Sequence, residues 1–116
     1  MLEIFISAGS KLDTKNRFGD SILHVAVQAS RPAILRRLIK YNLDVSSKNL
    51  SGNTPLHEAA ILGDVTSCEI LLSGNAAINS ANEDGNTPLH LAFFHSQLKV
   101  VEFLLLKGMS PQVLAF

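Results

Sequence analysis

The chain has 116 residues, with ten Lys and Arg against ten Asp and Glu and a formal net charge of zero. It is 47% hydrophobic and 17% charged, which suits one folded domain and argues against a disordered tail. The balanced charge excludes the basic excess that holds nucleic acid or an anionic lipid surface, and no apolar run reaches the roughly 18 residues of a membrane span.

The N-terminal stretch Met1 to Ser7 is too short and lacks the basic start of a secretory leader. A single cysteine, Cys68, cannot form an internal disulfide. Both features predict a reducing compartment, cytoplasmic or nuclear.

Self-similarity organises everything that follows. Three segments align without gaps: Asn16 to Ala26, Asn49 to Ala59 and Asn82 to Ala92. His24, His57 and His90 are 33 residues apart, as are Gly19, Gly52 and Gly85. Leu38, Leu71 and Leu104 share one downstream column, and Ile39, Leu72 and Leu105 the next. Extending the register backwards puts Phe5 and Ile6 in those two columns. The expected layout is a half repeat over 1–15, repeats over 16–48, 49–81 and 82–112, and a tail over 113–116. Together they form a single domain, expected to belong to a longer protein.

Within each unit the punctuation is helical. Ser21, Thr54 and Thr87 stand where an N-cap is needed, and Pro55 and Pro88 at the first helical position, where no amide bond is lost. The spacing predicts first helices ending near Ser30, Gly63 and Ser96. It predicts second helices over about 32–40, 65–73 and 98–107, with Pro32 opening the earliest. Gly9, Asn42, Asn75 and Gly108 form a column suited to left-handed helix closure. Asn-x-x-Gly segments such as Asn49 to Gly52 read as tight turns between units. Helices this short are marginal alone, so they must stack on their neighbours.

The 33-residue period and Thr-Pro-Leu-His-x-Ala, complete at 54–59 and 87–92, resemble ankyrin repeats over essentially residues 1–110. Two departures stand out: Ser21-Ile22 replaces Thr-Pro in the first copy, and Pro111 falls in the column of Val45 and Ile78. The resemblance implies an all-α solenoid of stacked helix-turn-helix pairs with hairpin-like loops. It also implies that His24, His57 and His90 bond the Ser21, Thr54 and Thr87 hydroxyls and tie neighbouring loops together. A shared metal is not expected, because equivalent residues in stacked helices lie about 8–10 Å apart and zinc needs ligands at about 2 Å.

Cys68 lies in a column with Leu2, Leu35 and Val101 and reads as a small buried hydrophobe. No phosphate-cradling glycine loop, Gly-x-Ser-x-Gly elbow or paired-cysteine site occurs, so neither catalysis nor a cofactor is expected. Asn49-Leu50-Ser51 matches a glycosylation acceptor but coincides with a repeat column. Arg31, Arg36, Arg37 and Lys40 cluster on one second helix, where a solvated basic face is the expected reading.

Function must then lie in the positions that vary between units. At the loop tips these include Arg17, Phe18 and Asp20; Lys48, Leu50, Ser51 and Asn53; and Glu83, Asp84 and Asn86. At the first-helix ends they include Ile61, Leu62, Phe94 and His95. The resemblance implies that these positions form a concave surface gripping a partner protein, while the balanced charge and the absence of a long apolar run argue against nucleic acid or membrane. Charge passes from basic loops (Lys15, Arg17, Lys48) to an acidic one (Glu83, Asp84), a pattern that can set a partner's orientation. The alternatives are an architectural segment that self-associates through uncapped apolar ends, or the regulatory domain of a larger enzyme.

Overall fold

A computed structural model describes residues 15–41 and 43–107. The expectations placed on Phe5, Ile6, Gly9, Asn42, Gly108, Pro111 and the 113–116 tail lie outside those residues. Six helices follow one another: α1 (Ile22–Gln28), α2 (Pro32–Ile39), α3 (Pro55–Leu62), α4 (Val65–Ser73), α5 (Pro88–Phe94) and α6 (Leu98–Leu106). The second helices α2, α4 and α6 fall within one residue of their predicted bounds, the first helices end one or two residues before Ser30, Gly63 and Ser96, and the described residues contain no strand.

Each first helix begins on a reciprocal cap. The Ser21, Thr54 and Thr87 hydroxyls accept from the backbone N–H groups of His24, His57 and His90, while each imidazole accepts from the cap residue's own N–H. Histidine here takes the place usually filled by glutamate in such a box. Ser21 holds φ −79° and ψ 172°, close to the −86° and 168° of Thr54, so the first copy caps like the second despite lacking proline.

The helices stop where the chain turns left-handed. Ser30, Gly63 and Ser96 have φ of 55°, 74° and 56°. The N–H of the following residue returns to a carbonyl one turn back: Arg31 to Ala26, Asp64 to Ala59 and Gln97 to Ala92. Asn75, at φ 71°, closes α4 in the same manner, as its column predicted.

Packing makes two parallel rows, α1 on α3 on α5 and α2 on α4 on α6, joined within each pair. The core is built from the repeat columns: Leu23, Leu56 and Leu89; Ala26, Ala59 and Ala92; Leu38, Leu71 and Leu104. Alanine lets the first-helix row approach closely, while the leucines fill the space between the rows. Cys68 is buried among these residues, as its column predicted. Ser67 occupies a column otherwise held by Ile34 and Val100, and its hydroxyl is satisfied by donating to Asp64 Oδ2 at 2.7 Å.

Candidate functional site: the loop row and first-helix ends

The loops are built by one asparagine each. Asn16, Asn49 and Asn82 turn their Oδ1 inward to accept two backbone N–H groups, two and four residues on. Their carbonyls accept from Gly19, Gly52 and Gly85 at 2.9–3.0 Å, closing the expected tight turns. The Asn49 amide is thereby committed inside the turn, and its Nδ2 donates to Asp20 Oδ1 at 2.9 Å. A glycan there would have to break that network, so the acceptor triplet is incidental.

Neighbouring loops are cross-linked by a repeating set of bonds. Leu50 N–H donates to the Phe18 carbonyl (3.0 Å) and Glu83 N–H to the Ser51 carbonyl (3.1 Å). Asn82 Nδ2 donates to Asn53 Oδ1 at 2.8 Å. Lys15 Nζ reaches the Lys48 carbonyl and Lys48 Nζ the Ala81 carbonyl, both at 2.8 Å. The ladder stops at Ala81, whose methyl cannot donate. Beneath it, His24 Nε2 bonds the Asn53 carbonyl and His57 Nε2 the Asn86 carbonyl, at 2.7 and 2.8 Å. The implied histidine roles are thus observed: hydroxyl partners at 2.8–2.9 Å in all three copies, and a tie to the next loop in the first two. The cross-links hold the three tips in one rigid row.

The structure sorts the expected contact residues into two groups. Arg17, Phe18, Lys48, Leu50, Ser51, Leu62, Glu83, Asp84, Phe94 and His95 are exposed. Asp20 is not: it is 7% exposed and accepts from Asn49 and Gln28, correcting its placement at a solvent-facing tip. Asn53 and Asn86 are half-buried and serve the ladder. Ile61 is half-buried, and Gln97 Nε2 donates to its carbonyl at 2.8 Å, so of the apolar residues expected at the first-helix ends Leu62 and Phe94 are the exposed ones. Phe94 packs its ring 6.4 Å from both His90 and Phe93.

Phe93, 67% exposed, was not singled out from the sequence. Its column holds Val27 and Ala60, both fully buried, and so signalled core. The tips have their own apolar pair, Phe18 and Leu50, at 61% and 75% exposure. The Arg17 guanidinium lies over the Phe18 ring, 5.7 Å from its centroid, a cation–π contact between two exposed side chains.

Reactive chemistry is not assembled among the described residues. No group of three His, Cys, Asp or Glu side chains converges as a metal site would require. Burial pushes the Cys68 thiol up to about 12, with Asp64 adding to it, far from an activated nucleophile. Two open hollows of 450 and 390 Å³ lie between the second helices, sharing Glu69 and Ser73 in their walls. Neither is lined by a histidine or a cysteine. No helix among the described residues is long and apolar enough to cross a membrane.

The arrangement therefore presents a surface and no reaction centre among the described residues. No curated protein matches the chain. A family model described as ankyrin repeats (3 copies) matches residues 1–82 and 43–114, and so most of the sequence. Stacked helix pairs, the reciprocal Ser/Thr–His caps and this match agree: the chain belongs to the ankyrin repeat family, whose members are generally non-catalytic protein–protein interaction modules.

Proposed function

We propose that this protein recognises a partner protein through the loop row at 15–20, 48–53 and 81–86 together with the ends of the first helices. The observation that carries this reading is the exposure of Leu62 (48%) and Phe94 (62%) where α3 and α5 end. The corresponding positions of the first repeat hold Ala29 and Gln28, so bulk apolar surface is added in the second and third units alone. Exposed apolar groups beside ordered polar loops are the usual make-up of a contact site, with an aromatic side chain as anchor. Preorganised loops lower the ordering cost of binding.

The test is affinity capture from cell lysate by the wild type and by a Leu62→Arg/Phe94→Arg variant, after thermal melts have established that the variant folds. A protein retained by the wild type and lost with the variant supports the reading. Identical captured sets overturn it.

A second reading, self-association, is favoured by Phe93 and by Leu106, which is 84% exposed on α6. Light scattering over a concentration series decides it: a constant monomer mass removes it.

A further inference from the structure

We propose that the loop row reads the charge order of its partner: it takes an extended segment with an acidic group at the Arg17 end, apolar side chains over Phe18 and Leu50, and a basic group at the Glu83–Asp84 end. This rests on the partner-recognition reading above and adds the chemistry of what is recognised.

The zero net charge of the chain conceals a strong separation. Residues 16–48 carry six Lys and Arg against two Asp and Glu, whereas residues 49–112 carry two against six. The loop row repeats this polarity on its surface. Its first tip has Arg17 over the Phe18 ring, and its third has Glu83 and Asp84, both exposed. Between them the exposed Phe18 and Leu50 are joined by the Leu50 N–H to Phe18 carbonyl bond. The Glu83 N–H to Ser51 carbonyl bond then fixes the acidic tip against the second loop. The sequence of groups along the ridge is cation, aromatic ring, aliphatic chain, hydroxyl, two carboxylates. The Lys15 ammonium, held on the Lys48 carbonyl, adds a cation beside the first two loops, while that of Lys48 reaches across to the Ala81 carbonyl at the base of the third.

A reversed partner would set like charges against each other at both ends, which penalises the wrong orientation more than the right one is favoured. Two steps of about 8–10 Å between packed helices put the outer tips roughly 16–20 Å apart. An extended chain advancing about 3.3 Å per residue covers that in about five or six residues.

The probe is a random linear 12-residue peptide library displayed on phage and selected on the whole chain. Enriched peptides are expected to carry Asp or Glu and Lys or Arg about six residues apart, with apolar residues between. Measured by fluorescence anisotropy, their affinity should fall about tenfold on Glu83→Lys/Asp84→Lys and by a similar factor on Arg17→Glu, more at low salt. Charge-inverted peptides should instead prefer the variant carrying all three changes. These substitutions fall on exposed side chains, and melts of each variant accompany the titrations. Binders without charge order, binders unaffected by both variants, or no binders at all overturn the proposal. Unordered binders that are still lost on Leu62→Arg/Phe94→Arg leave the broader recognition reading standing. Binders indifferent to that change as well remove both.

Discussion

His57 Nε2 lies 2.8 Å from the carbonyl of Asn86, so a helix in one repeat holds the loop of the next. Its partners also decide its tautomer. The Thr54 N–H points at Nδ1 from 3.0 Å, which makes that nitrogen an acceptor, and a carbonyl can only accept, so the proton sits on Nε2. Charging the ring would add a proton on Nδ1, facing the Thr54 N–H. The structure thus uses His57 as a neutral group with both nitrogens occupied.

A pH dependence follows. Burial lowers the pKa of His57 from 6.5; Lys48 adds to the shift, while the Asn86 carbonyl, Glu58 and Ser80 oppose it. With the folded value below the unfolded one, the unfolded chain binds more protons in the window beneath 6.5, so stability rises with pH there. This contribution is complete above about 6.5 and is lost as pH falls through the folded value. The His57 ring resonances in an NMR titration should have their midpoint below 6.5. A midpoint at or above that value contradicts the burial argument.

Two glycines at nearly the same dihedral should respond differently to alanine. Gly52 and Gly85 have φ of 77° and 79°. A Cβ at Gly52 would lie 2.6 Å from the Glu83 backbone nitrogen, whereas at Gly85 nothing stands within 4 Å. Gly85→Ala carries only the left-handed cost of about 1–2 kcal/mol. Gly52→Ala must also push the third loop away, for a further ~1–3 kcal/mol typical of overpacking. Urea denaturation of both variants measures the difference, and equal losses would show that the loops are not in close contact.

Asp20 and Leu50 separate stability from recognition. Asp20→Ala strips a buried acceptor from the Asn49 amide, a loss of about 1–3 kcal/mol. Leu50→Ala removes a side chain that is 75% exposed and should change stability by less than ~0.5 kcal/mol. Binding of selected peptides should fall for Leu50→Ala. The reverse pattern in denaturation and anisotropy would place Leu50 in the fold and Asp20 on the contact surface.

Cys68 should be silent in the folded protein. With full burial and its pKa pushed up to about 12, almost no thiolate is present at pH 8. A chromogenic disulfide reagent should titrate one thiol in urea and react in native buffer only at the rate of unfolding. Prompt native reaction would mean the core opens around α4.

The sequence by itself determined the repeat period, the caps at Ser21, Thr54 and Thr87, the helix ends at Ser30, Gly63 and Ser96, and the buried columns. Each depends on local dihedral preferences or on a spacing that repeats, and both are written along the chain. Exposure at the candidate site was decided by tertiary structure, because each loop is covered by groups one repeat away. Asp20 is buried by the Asn49 amide, and Lys15 is drawn to the Lys48 carbonyl, 33 residues on. Phe93 shares a column with the fully buried Val27 and Ala60 yet is 67% exposed. A column fixes which way a residue points along its helix; only the neighbour packed against it determines whether water reaches it.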